Sequence, residues 1–416
     1  MVEQSSASDR PTNAARRKPW RWVLLALVVL AIGVGGRWSW IRYWSAHYAA
    51  QCQRARETSD WPAMALAAAS WASLEPGGDL PWLFRAEAAQ EQGDLESVVG
   101  YLDQLPNESP KTVPALLERC NILFGPLNRP LEAAATCERI LAIEPRTPEA
   151  HRRLIFFYAA TLQRTKVMQQ ARSAIELRCD APETYIYLIG ADWMYLSNGF
   201  DLTSRWLTGQ PDNELLLVAR DIQFVRTHGI DEGDAGATGN PSEGESAADR
   251  ESPLRRLEQG LTQFPHNQEL LAYFLDRKCT EGDLVRVSEL LAEAPESAVN
   301  DNRFWRYKGW LNAAQGDFAE AETAYRQALA LHPFDWAAQH QLADALRKKG
   351  NLGDVEKLAK VSLEGKELRK AILELPDVQT VPRAIVLKMA SYAKKCGDLQ
   401  IAAHLNERHS AMSGNP

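Results

Sequence analysis

The sequence predicts an all-α protein: an α-solenoid of about ten helix-turn-helix hairpins behind one N-terminal transmembrane helix. Three observations carry this. A pattern of small and aromatic residues returns about every 34 residues along most of the chain. An uncharged apolar run near the N-terminus follows a basic stretch. The hairpins, once counted, leave no stretch large enough for a separate catalytic domain. Of the 416 residues, 45% are apolar and 24% charged, which is globular composition and not that of a disordered chain. The net charge of −7 argues against a protein that coats nucleic acid, whose surface is usually basic. Six cysteines in this length exclude a small disulfide-stapled domain.

Residues 1–19 are polar, carry Arg10, Arg16, Arg17 and Lys18, and read as a disordered tail. A transmembrane helix is expected over 20–42. Its centre, residues 22–36, holds no charge but falls short of the ~20 residues that span a bilayer. Extension to Ile41 adds only Arg37, whose charge can snorkel to the headgroups. Trp20 and Trp22 flank one end, and Trp38 and Trp40 the other, as interfacial aromatic belts do. The cations lie mostly ahead of the run, so the N-terminus is expected in the cytoplasm. The chain then sits in the plasma (inner) membrane as a single-pass protein with its solenoid extracytoplasmic. Two alternatives stay open: a cleaved signal peptide, with small Gly33 and Gly35 near a cleavage point, and a buried core helix.

The clearest hairpin covers residues 302–335. Trp305, Gly309, Ala321, Tyr325, Ala328 and Pro333 stand at its positions 4, 8, 20, 24, 27 and 32. Small residues at 8, 20 and 27 let its two helices approach, and the aromatics fill the space between neighbouring hairpins. Gly316-Asp317 makes the turn, and Pro333 stops the second helix. This unit closely resembles the tetratricopeptide repeat, and the resemblance implies a right-handed superhelix. The same turn recurs at Gly282-Asp283-Leu284 and at Gly350-Asn351-Leu352. Gly93-Asp94-Leu95 and Gly397-Asp398-Leu399 mark two more, and Asp60-Trp61 a variant. Fainter units start near Pro114, Pro148 and Pro182.

The solenoid is expected over 45–416, with two insertions. Residues 229–252 are rich in Gly, Ser and Ala, hold seven acids against one arginine, and cannot bury enough apolar surface to fold. Helical patterns on both sides make this segment a disordered insertion within one repeat, tolerated because loop-closure cost grows slowly with length. It also accounts for most of the net negative charge. A shorter insertion falls near 370–382. The remainder, roughly 335 residues, is about ten units of 34.

No catalytic or cofactor motif emerges. The eight histidines form no HExxH, and no two cysteines form a CxxC. There is no Gly-rich phosphate loop, and Ser391…Lys394 matches SxxK only at chance frequency. The cysteines read as buried small side chains, with a Cys120–Cys137 disulfide across one hairpin as the alternative outside the cytoplasm. No metal, cofactor or catalytic residue is expected.

The repeat resemblance implies that positions 2, 5, 9, 12 and 13 of each first helix line the concave face. Here these include Arg303, Arg306 and Trp310, then His340, Arg347 and Lys348. Such a face suits an acidic or carboxylate-ended peptide. The repeat family's carboxylate clamps place Asn at position 9, where this chain has Trp310. The expected function is a membrane-tethered scaffold or adaptor for protein partners, in contact with the lipid bilayer and not with nucleic acid. The alternatives are a non-catalytic subunit of an envelope enzyme complex and, after cleavage, a soluble exported protein.

Overall fold

A computed structural model describes residues 20–227 and 253–412, with the side chains of 20–23, 25 and 31 outside the described set. Among the described residues all regular structure is helical. By internal contacts the chain divides into two compact units, residues 1–112 and 113–416.

The first unit contains α1 (Trp20–Glu57), α2 (Trp61–Leu74), α3 (Asp79–Glu91) and α4 (Leu95–Asp103). Each helix packs on the next, around Cys52, Met64, Ala68, Trp71, Phe84 and Ala88. Only the last part of α1 joins this core. Leu27, Val28, Val29 and Leu30 are consecutive and all more than half exposed, so every face of the helix there is bare. Trp38 and Trp40 are likewise exposed. Residues 20–42 are thus no separate element but the start of a 38-residue helix. Among the described residues no helix is long and apolar enough to cross a membrane. The expected spanning segment is not shown, and the side chains of Trp20 and Trp22 fall outside the described set.

The second unit begins with α5 (Thr112–Phe124), α6 (Pro130–Ile143), α7 (Pro148–Ala160), α8 (Arg164–Glu176), α9 (Pro182–Ile189) and α10 (Gly199–Leu207). It continues with α11 (Glu214–Thr227), α12 (Pro253–Gln263), α13 (Gln268–Glu281), α14 (Leu284–Ala292), α15 (Asn302–Ala314) and α16 (Phe318–Leu331). It ends with α17 (Trp336–Lys348), α18 (Val355–Leu373), α19 (Arg383–Cys396) and α20 (Leu399–Ala411). The helices α11 and α12 pack together, sharing Ile222, Val225 and Leu257 in one core. The acidic segment between them lies outside the described residues.

The turns explain why some hairpins are plain in the sequence and others faint. Gly93, Gly282, Gly316 and Gly397 have φ of 75°, 78°, 87° and 88°, a region that costs a glycine least. The next residue in each case, Asp94, Asp283, Asp317 or Asp398, caps the following helix by accepting a backbone N–H bond. In the fainter hairpins Asn128 and Leu162 hold left-handed φ of 54° and 58° instead. At Gly309 a Cβ would stand 2.6 Å from the Tyr325 ring, so the small residue is what lets α15 and α16 meet.

Within the second unit the array closes on itself. Arg172 on α8 pairs with Asp398 at 2.9 Å, and Arg178 pairs with Glu407 on α20. Arg408 on α20 grips both the carboxylate and the backbone carbonyl of Asp180. One apolar core runs from Leu116 to Leu216 and takes in Val361, Leu368, Met389 and Leu405.

Candidate functional site

The residues expected on the concave face divide into two groups. Arg303, on the first turn of α15, is 4% exposed. Its guanidinium holds Asp301 (Nη2–Oδ2 2.7 Å) and Glu269 (Nη1–Oε2 3.0 Å). Arg306, one turn on, meets Asp335 at 2.9 Å and Asp192 at 3.6 Å. Both cations are therefore neutralised by the chain's own carboxylates, which corrects the expectation that they offer free charge to a partner. Trp310 is half-buried and lines the same inner cavity, about 390 Å³, with Tyr195, Tyr273 and Trp336. His340, Arg347 and Lys348 stand outside it on the exposed side of α17, with Asp344 against His340 and Arg347. None of these last three lines the inner cavity.

The inner cavity is narrowed by a segment that the sequence reading missed, the non-helical residues 190–198 between α9 and α10. Arg164 holds it from α8 by donating to Ala191 O (2.9 Å) and Met194 O (2.6 Å). Gln223 on α11 accepts from Leu196 N at 3.0 Å and donates to Ala160 O at 3.1 Å. Asp192 sits at its centre, between Arg306 and the fully buried His332, whose Nε2 is 3.5 Å away. Burial pulls the Asp192 carboxyl up, but His332, Arg306 and Arg303 pull it further down, below the usual carboxylate range. No periodic signal marks this segment.

Beside it lies a larger groove of about 1,140 Å³. Phe156, Tyr187, Trp193, Leu375 and Val378 give it an apolar wall. Arg152 and Arg226 on its rim pair with Glu183 and Asp276, at 2.9 and 2.8 Å. Arg369 on α18 lines both the groove and the inner cavity. Its guanidinium lies 5.7 Å from the Trp193 ring centre, its Nε is buried without an acceptor, and no described carboxylate pairs with it. Among the described residues no three His, Cys, Asp or Glu side chains are grouped to hold a metal ion.

The tetratricopeptide-repeat family model matches residues 303–335, the hairpin that carries Arg303, Arg306 and Trp310. That hairpin matches the tetratricopeptide repeat. The chain's N-cap residues show how the repeats are joined. Gln268 and Asn302, one repeat apart, open α13 and α15, and each donates at 2.8 Å to the cap of the next first helix, Asp301 and Asp335. No curated protein matches the chain significantly. Among solved structures it is similar to a tetratricopeptide-repeat protein from Parabacteroides merdae, with 11% identity over 64% of this chain and 98% of that one, at a TM-score of 0.29. It is also similar to the APC/C hetero-tetramer Cut9–Hcn1, with 10% identity over 91% and 81% of the chains and a TM-score of 0.32. Yeast Tom70 matches with 13% identity over 95% and 92%, at 0.27.

Proposed function

We propose that this repeat protein is a membrane-tethered, non-catalytic scaffold that binds an extended segment of a partner protein in the groove between α7, α9, α11 and α18. The groove carries the reading: an apolar wall for side-chain anchors, and Arg369 with no carboxylate of its own. Aromatic and arginine side chains in a desolvated pocket are the usual energetic centres of such interfaces. The partner segment brings an apolar or aromatic residue for the wall and a carboxylate for Arg369. A second, exposed face with His340, Arg347 and Lys348 around Asp344 is open to further partners, Lys348 offering its charge to an acidic one. The tether is the first half of α1, where bare Leu, Val and Ile side chains on all faces favour lipid over water. The basic residues ahead of it favour a cytoplasmic N-terminus with the repeats outside, in the cell envelope.

A photo-crosslinking residue at Phe156 or Trp193 in the membrane-bound protein tests the groove, with exposed Val285 on α14 as control. Capture of one partner from the groove and none from the control supports the proposal. Identical capture at both positions refutes it. Alkaline extraction tests the tether: a chain released from membranes by carbonate is not held by α1.

A further inference from the structure

Cys120 on α5 and Cys137 on α6 bring their sulfurs to 3.4 Å, and both residues are 0% exposed. The other four cysteines have no second sulfur beside them among the described contacts: Cys52 reaches only Met64 O and Cys179 only Leu177 O. The two sulfurs are already in contact and have only to close to the ~2.05 Å of a disulfide. They sit on the two helices of one hairpin, where small residues bring the helices close. Cys120 Sγ lies 3.6 Å from Ala133 O, which fixes it against α6. Arg153 and Arg119 stand near Cys120, and Arg153 is held there by Leu117 O and Asn121. Contact with Cys137 and then these two cations lower the Cys120 thiol, while that same contact and burial raise Cys137. This asymmetry suits one attacking and one resolving cysteine.

We propose that Cys120 and Cys137 form a disulfide that staples α5 to α6, made by exchange with a small-molecule or protein disulfide. The Cys120 thiolate attacks one sulfur of that oxidant and expels the other as a thiolate, leaving a mixed disulfide. Cys137 gives up its proton and attacks the Cys120 sulfur, expelling the second thiolate. The pair loses two protons and two electrons, and the oxidant's disulfide becomes two thiols. Burial of both sulfurs sets when this happens: during folding, or when the hairpin opens. The staple forms in an oxidising compartment and stays reduced in a cytosolic one. It does not depend on the groove reading.

The test uses the full-length protein in detergent, unfolded and refolded in a glutathione redox buffer and then alkylated and digested. The expected result is one cross-linked peptide pair, Cys120 with Cys137, two hydrogens lighter than the free thiols. The other four cysteines remain alkylated. The oxidised protein should melt several degrees above its dithiothreitol-reduced form. The gap should vanish in Cys120→Ala and in Cys137→Ala, each compared with itself in both buffers. Full alkylation of both cysteines after oxidative refolding, pairing with other cysteines, or a lower melting point on oxidation overturns the proposal.

Discussion

Arg303 grips Glu269, the residue that stands one repeat earlier in the same register, through both terminal nitrogens of its guanidinium. The same group also closes on Asp301, whose side chain is 1% exposed. A position expected to present charge to a partner thus joins one hairpin to the previous one. Arg303→Met should leave Asp301 without its cation and Glu269 with only Arg164, 3.8 Å away, and cost about 3–5 kcal/mol. Denaturant unfolding of the second unit measures it. A loss under 1 kcal/mol would show that the network contributes little.

Acid should act on the same network. Burial raises the Asp301 carboxyl, but Arg303 and Gln268 lower it more, and the net shift is downward. Asp192 shifts the same way. A carboxyl depressed in the folded state contributes stability that is present above its unfolded pKa, near 4, and lost as pH falls through the folded value. Melting temperature should therefore hold from neutral pH to about 4 and fall steeply below it. Thermal melts across that range check the sign, and in Asp192→Asn the acid slope should be shallower.

Gly309→Ala should cost about 2 kcal/mol, because the new Cβ meets the Tyr325 ring and the helices must part. Tyr325→Leu in the same chain should recover part of the loss. Additive losses in a double-mutant cycle would mean that the two positions do not meet.

The aspartates ahead of the second helices make a graded series. Asp283 and Asp317 each accept a backbone N–H bond, whereas Asp354, ahead of α18, accepts none. Alanine at either of the first two should cost about 1 kcal/mol, and at Asp354 close to nothing. Equal losses at all three would refute capping as the cause.

Arg408→Ala should loosen α19–α20 and α8–α9 together, since Asp180 is nearly buried beneath it. Arg178→Ala should not, because that pair is more than half exposed on both sides. Hydrogen exchange reads the difference: faster exchange in both hairpins for the first substitution and in neither for the second.

The sequence exposed the hairpins whose turns need a left-handed residue, because Gly-Asp at 34-residue spacing is the visible form of a backbone requirement. It exposed fewer where Asn128 or Leu162 meets that requirement at some strain. The positions of Arg303, Arg306 and Trp310 on the inner face were legible from register. The pairing of Arg306 with Asp192 was not, since Asp192 is over a hundred residues away and belongs to no repeat pattern. Arg369, the cation that faces the groove unpaired, sits on a second helix, where the repeat register gives no reason to look.

The docking of the last hairpin on α8 also has a kinetic side. Arg172 and Asp398 are 226 residues apart in the chain. At ~5–20 residues per second, the ribosome delivers Asp398 some tens of seconds after Arg172. Until then α8 and α9 face solvent with the surface that will later receive α19 and α20. A repeat array is commonly thought to fold as it emerges, each unit leaning on the one before. This one cannot finish that way, and the interval gives chaperones, or a second nascent copy of the chain, time to reach the uncovered surface.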